Sequence, residues 1–148
     1  MNTNKKTARN LLDVRLILAM LWVAEVLSSL NGDTYRFHDP IVLKSLLANT
    51  GSIVVTPELL LIMSLLFVGS VFMSVLTLTL KSPVSRWANR IIGLFYAIIN
   101  LVFWVLTLVS LSAGQVGIYE IVWYSAQLVC TLLIVGYAWK WPNPEGQT

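Results

Sequence analysis

Four long apolar runs, separated by short polar breaks, account for most of this chain of 148 residues. The first runs from Val14 to Leu30, is preceded by Lys5, Lys6 and Arg9, carries Arg15 at its start, and is closed by Asn31-Gly32-Asp33. The second runs from Glu58 to Leu80 behind Thr56-Pro57, where Thr suits an N-cap and Pro a first helical turn. Lys81-Ser82-Pro83 ends it. The third begins near Trp87 and reaches about Leu111, and Gly114-Gln115-Val116-Gly117 divides it from a fourth that ends at Trp139-Lys140-Trp141-Pro142. About 20 apolar residues cross a bilayer as a helix, and each run is long enough. The pattern predicts one all-α membrane domain over 1–148, a four-helix bundle with spans at about 13–31, 57–80, 87–112 and 118–140.

The stretch between the first two spans is too long for a tight turn between antiparallel helices. Asp39-Pro40 reads as a capped helix start, and Ile41, Val42, Leu43, Leu46 and Leu47 are apolar around Lys44 and Ser45. A short helix over 40–48, ended by Asn49 to Gly51 and lying along the outer interface, is expected. An ordered loop with no function of its own is the alternative.

Composition agrees with a lipid environment. The chain is 57% hydrophobic and 11% charged, with a mean hydropathy of +0.76, whereas a soluble domain has roughly a quarter of its residues charged. With four spans there is no room for a separate catalytic domain outside the membrane. The formal charge of +3 is explained by topology and needs no nucleic acid. Lys5, Lys6, Arg9, Arg15, Lys81, Arg86, Arg90 and Lys140 fall on one side of a four-span layout, and Arg36 and Lys44 on the other. Positive loops stay in the cytoplasm, so both termini are predicted to be cytoplasmic. Trp87, Trp139 and Trp141 sit where interfacial anchors belong, while Trp22 lies too deep. A rival reading makes the first segment a signal peptide cleaved near Val26-Leu27-Ser28; Glu25 within the apolar stretch argues against it.

The lone Cys130 rules out an internal disulfide framework, a Cys-rich zinc site and a four-Cys cluster, and the lone His38 excludes a bis-histidine haem within one chain. There is no phosphate-binding Gly-rich loop, no G-x-S-x-G elbow and no H-E-x-x-H pair. No catalytic residue, metal or cofactor is assigned. Cys130, deep in the fourth span, reads as a buried thiol.

Polar residues within the spans are more informative, because ionisable groups there are costly. Glu25 shares a helix face with Trp22 and Ser29. On the third span Asn89, Gly93, Ala97, Asn100, Trp104 and Thr107 form one small-and-polar stripe. Glu120, Tyr124, Gln127 and Thr131 do so on the fourth, and the second offers Gly69, Ser70, Ser74 and Thr77. Antiparallel packing would bring Glu25, Ser70, Asn100 and Gln127 to similar depth as a polar intramembrane layer. Such a layer serves either helix association, through amide hydrogen bonds and small residues, or function; Glu25 leans to function. Asp33, Asp39, Glu58 and Glu120, with His38 and Arg36 nearby, gather toward the outer face. They could ring a vestibule for cations, though capping and helix dipoles already account for Asp39 and Glu58.

Three stretches together resemble a known family: Asp39-Pro40 with Leu43-Lys44-x-Leu46-Leu47, Arg86-Trp87-Ala88-Asn89 with Gly93, and Tyr137-Ala138-Trp139-Lys140-Trp141-Pro142. They are similar to small four-span bacterial membrane proteins of unknown function. More distantly, the layout resembles the DoxX-like group, some members of which are associated with quinone-linked redox systems. The resemblance implies a multi-pass protein of the bacterial inner membrane and transfers no catalytic residues. Physically, Arg86 and Trp87 suit interfacial anchoring and Gly93 close helix packing.

Three functions are weighed. The first is a non-enzymatic bundle that binds a partner, as a homo-oligomer or with another membrane protein, or a lipid-soluble ligand. The second is a small proton-coupled or cation transporter using Glu25. The third is a membrane subunit of a quinone-linked redox system.

Overall fold

The computed structural model describes the backbone of residues 3–50 and 54–141 and, within these, the side chains from Asp13 onward. Gly51 and Pro142, expected to end two of the helices, lie outside the described residues, as do the side chains of Lys5, Lys6 and Arg9. Five helices follow in order: α1 (Thr3–His38), α2 (Pro40–Ala48), α3 (Pro57–Thr79), α4 (Ser82–Ser112) and α5 (Tyr119–Lys140). Three of them, α3, α4 and α5, are long and apolar enough to cross a membrane.

Local chemistry explains most helix ends. Asp39 caps α2 by accepting from the Ile41 and Val42 amides, Pro40 opens its first turn, and Asn49 closes it in the left-handed region at φ 50°. Thr56 caps α3 through the Leu59 amide. Gly114, at φ +68°, turns the chain after α4 where a side chain would be strained.

Two expected boundaries are corrected. The first helix does not stop at Asn31-Gly32-Asp33 but continues to His38. Tertiary contacts override the local breakers: Gly32 packs on Trp123, Tyr35 stacks on the same ring at 5.4 Å, and Arg36 reaches Glu120. The third long segment starts at Ser82 rather than near Trp87, because Pro83 sits in the first turn of α4, where its missing amide costs nothing. Only Leu80 and Lys81 therefore separate α3 from α4.

α1 packs against both α3 and α5, and α4 packs against α5. At the α4–α5 contact a Cβ added to Gly93 would lie 2.9 Å from Ile134 Cγ2, so only glycine permits this approach. Leu18, Trp22, Met73, Tyr96, Ile134 and Trp141 form the apolar core, with Trp22 edge-on to Tyr96 at 5.2 Å. Trp141 is thus 4% exposed under Arg15, while Trp87 and Trp139 are exposed.

Much of the buried surface is polar. Glu25, Ser70, Thr77, Asn89, Asn100, Gln127 and Thr131 are buried, whereas Leu61, Leu65, Phe72, Ile98 and Leu132 face outward. A protein folded in water would tend to the reverse. Apolar exteriors around a polar interior suit helices that have lipid as their solvent.

The basic residues predicted at one edge also close helix ends. Arg15 donates to the Leu80 carbonyl (2.8 Å) and to Ser82 Oγ (3.0 Å), and Arg90 donates to the carbonyls of Ala138 (2.9 Å) and Trp139 (3.2 Å). Cations at helix C-termini satisfy unpaired carbonyls and the dipole together.

Candidate functional site

Two polar layers cross the interior. In the first, beside the α3–α4 turn, Asn89 is fully engaged. Its Oδ1 accepts from Trp22 Nε1 at 2.8 Å, and its Nδ2 donates to Thr77 Oγ1 (3.0 Å) and to the Ser85 carbonyl (2.8 Å). Thr77 in turn donates to the Met73 carbonyl, and Ser85 Oγ donates to the Thr77 carbonyl. Every group finds a partner within the protein, so this layer is closed.

Further along, the helices surround a cavity of about 620 Å³, within the range of small-molecule sites. Glu25, Ser70, Asn100 and Gln127 all line it. α1 adds Ser29, Gly32, Asp33 and Arg36; α3 adds Met63, Ser64 and Phe67; α4 adds Tyr96 and Phe103; α5 adds Glu120, Trp123 and Tyr124. Ser70 and Asn100 face the Glu25 carboxyl. The Tyr96 hydroxyl, also near Ser70 and Glu25, donates to the Leu66 carbonyl. Asn100 is only 5% exposed, yet its Nδ2 has no hydrogen-bond partner. An unpaired buried amide costs about 1–3 kcal/mol, which marks this wall as incomplete.

The mouth of the cavity divides the expected acidic cluster. Glu120, 3% exposed, lies 3.0 Å from Arg36 Nε through its Oε1. Neither atom is aligned for a hydrogen bond, so the contact is an ion pair with unused bonding capacity. Asp33 lies 4.0 Å from the other side of the same guanidinium. Asp39 is engaged elsewhere: it caps α2 and accepts from the Tyr119 hydroxyl at 2.9 Å, tying α2 to α5. That hydroxyl, helped by the Ile41 and Val42 amides, holds the Asp39 carboxyl below its ordinary range. Glu58 and His38 are exposed; His38 Nδ1 bonds the Thr34 carbonyl of its own helix, and neither residue lines the cavity. Among the described residues no group of three or more His, Cys, Asp or Glu side chains could hold a metal ion.

Sequence pattern alone does not single out Tyr96 and Trp123 as site residues, whereas Tyr124 stands in the stripe of the fourth span and Arg36 beside the outer acids. Part of the signal is there: Glu25, Ser29, Gly32 and Arg36 keep one helical face, but only if the helix continues through Asn31-Gly32-Asp33. Cys130 is half-buried and free.

Membrane-length helices with apolar exteriors, and polar side chains turned inward around a cavity, define the class: a helical membrane protein with an internal polar site. Residues 10–146 match the model of a family of unknown function (DUF6326), and the chain belongs to that family. The match concerns this family and not the DoxX-like group. No curated protein and no solved structure matches the chain.

Proposed function

We propose that this is a non-enzymatic, four-span protein of the bacterial inner membrane that holds a lipid-soluble ligand in the cavity between its helices. α1 is the fourth span, both termini are cytoplasmic, and α2 lies on the outer interface over the cavity mouth. Retention of α1 is supported by Leu18 and Trp22, which are fully buried in the core. The observation that carries the reading is the cavity of about 620 Å³ lined by Glu25, Ser70, Asn100 and Gln127, in which the Asn100 amide approaches Glu25 without closing a hydrogen bond. Helix association alone would be served better by the closed arrangement seen at Asn89.

The test is native mass spectrometry of protein released from its own membranes. A small lipophilic species bound to the wild type and missing from Met63→Trp, which pushes an indole ring into the cavity, is expected. Wild-type protein that emerges without any such species, and gains no thermal stability from added membrane lipid extract, would sink the reading.

A carrier is the second reading, favoured by one observation: Glu25, an ionisable group, lines a cavity whose mouth holds Arg36, Asp33 and Glu120. It requires flux in proteoliposomes that Glu25→Gln abolishes while the variant keeps its fold.

A further inference from the structure

The charges that face the cavity are unequal. Three carboxyl groups, Glu25, Asp33 and Glu120, line it against a single guanidinium, Arg36. Arg36 is occupied at the mouth, with Glu120 at 3.0 Å and Asp33 at 4.0 Å. Glu25 is left with uncharged neighbours, Ser70, Asn100 and Tyr96. A carboxyl group that stays ionised in the membrane interior is stabilised by a positive partner, and among the described residues the cavity lining holds no Lys or Arg other than Arg36. The cavity walls include the ring of Tyr96 beside Glu25 and, toward the mouth, those of Phe103, Trp123 and Tyr124. Aromatic faces attract cations, most effectively where water is excluded. The Asn100 amide, buried beside Glu25 and short of hydrogen-bond geometry to it, is a donor placed to hold the carboxylate once a cation sits against it.

The route in is also marked. Hydrogen bonds join α3 to α4 at Thr77 with Asn89 and Ser85, and at Leu66 with Tyr96. Leu60, beyond these toward the start of α3, and Phe67, between them, line the cavity and are also exposed.

We infer that the cavity takes an organic monocation with an apolar body, paired with Glu25 and enclosed by aromatic rings, entering from the bilayer between α3 and α4. This rests on the cavity being a ligand site.

The test uses two probes of nearly the same shape and opposite charge, tetraphenylphosphonium and tetraphenylborate. Saturable binding is measured on the full chain in phosphatidylcholine nanodiscs, with empty nanodiscs subtracted. The phosphonium is expected to bind about tenfold or more tightly than the borate, to lose that affinity in Glu25→Gln, and to keep most of it in Glu25→Asp. Equal binding of both ions, preference for the borate, saturable binding of neither, or full affinity in Glu25→Gln would each overturn the inference. Met63→Trp separates the two levels. If it leaves phosphonium binding intact, the cavity is not the site and both readings fail. A neutral or anionic lipid that co-purifies with the wild type and is lost from Met63→Trp keeps the cavity as a ligand site and removes the cation.

Discussion

Asn89 and Asn100 lie on the same face of α4, and both are buried, yet they have opposite surroundings. Around Asn89, three helices meet closely: Trp22 from α1, Thr77 from α3 and Ser85 from α4 use its donors and its acceptor. Around Asn100 the helices separate, and its Nδ2 faces a cavity without a partner. The same residue type acts as a structural clamp in one layer and as an open wall in the other. What differs is distance from the two-residue α3–α4 turn, which holds those helices together at one end and lets them part toward the other. Buried polar groups are therefore best judged by whether the protein itself completes their hydrogen bonds.

This contrast can be broken experimentally. Replacing Asn89 by Leu strands Trp22 Nε1 and removes the bonds to Thr77 and the Ser85 carbonyl, and should cost about 3 kcal/mol of stability, several times the average interhelical bond in membranes. Unfolding of reconstituted protein by a denaturing detergent measures it, and a loss no larger than for Asn100→Leu would remove the distinction. Gly93→Ala forces a methyl against Ile134 Cγ2 within the α4–α5 contact and should cost about 2 kcal/mol by overpacking, read as a lower melting temperature. At the mouth, Asp39→Ala removes the α2 cap and should cost about 1 kcal/mol, confined to α2 and seen as faster amide exchange there. Asn100→Leu should not lower stability and should raise it by about 1 kcal/mol, since it removes a buried amide whose nitrogen makes no hydrogen bond.

The Asp39 contact also has a sign in pH. Its carboxyl is held below the ordinary value by Tyr119 and by the α2 amides. The folded state thus favours the ionised form, and the stabilisation is complete above the ordinary carboxylate pKa. It fades as pH falls through the lower folded value. Exchange protection of α2 should fall on acidification, and Asp39→Asn should flatten that dependence.

Several elements are legible in the amino-acid sequence. Asp39-Pro40 and Thr56-Pro57 announce helix starts because capping is local chemistry, complete within a few residues. The stripes through Glu25, Ser70, Asn100 and Gln127 point inward because helical periodicity places them on one face of each helix. The end of α1 is misjudged from sequence for the opposite reason. Asn31-Gly32-Asp33 is a local stop signal, and what carries the helix past it is Trp123 and Glu120, distant in sequence. Trp141 likewise resembles an anchor in sequence and is buried only because Arg15 and the core enclose it.

By itself the sequence determined the all-helical class, the membrane-length apolar segments, the short capped helix and the inward-facing polar residues. Each of these follows from periodicity, propensity or capping, which act over one or two helical turns. Tertiary structure alone decided that Asn89 is satisfied while Asn100 Nδ2 closes no hydrogen bond, that Arg36 pairs with Glu120, distant in sequence, and that a cavity is lined by Glu25. These depend on the angles and distances between helices, set by contacts such as Gly93 on Ile134 and Tyr96 on Leu66, and no local pattern encodes them.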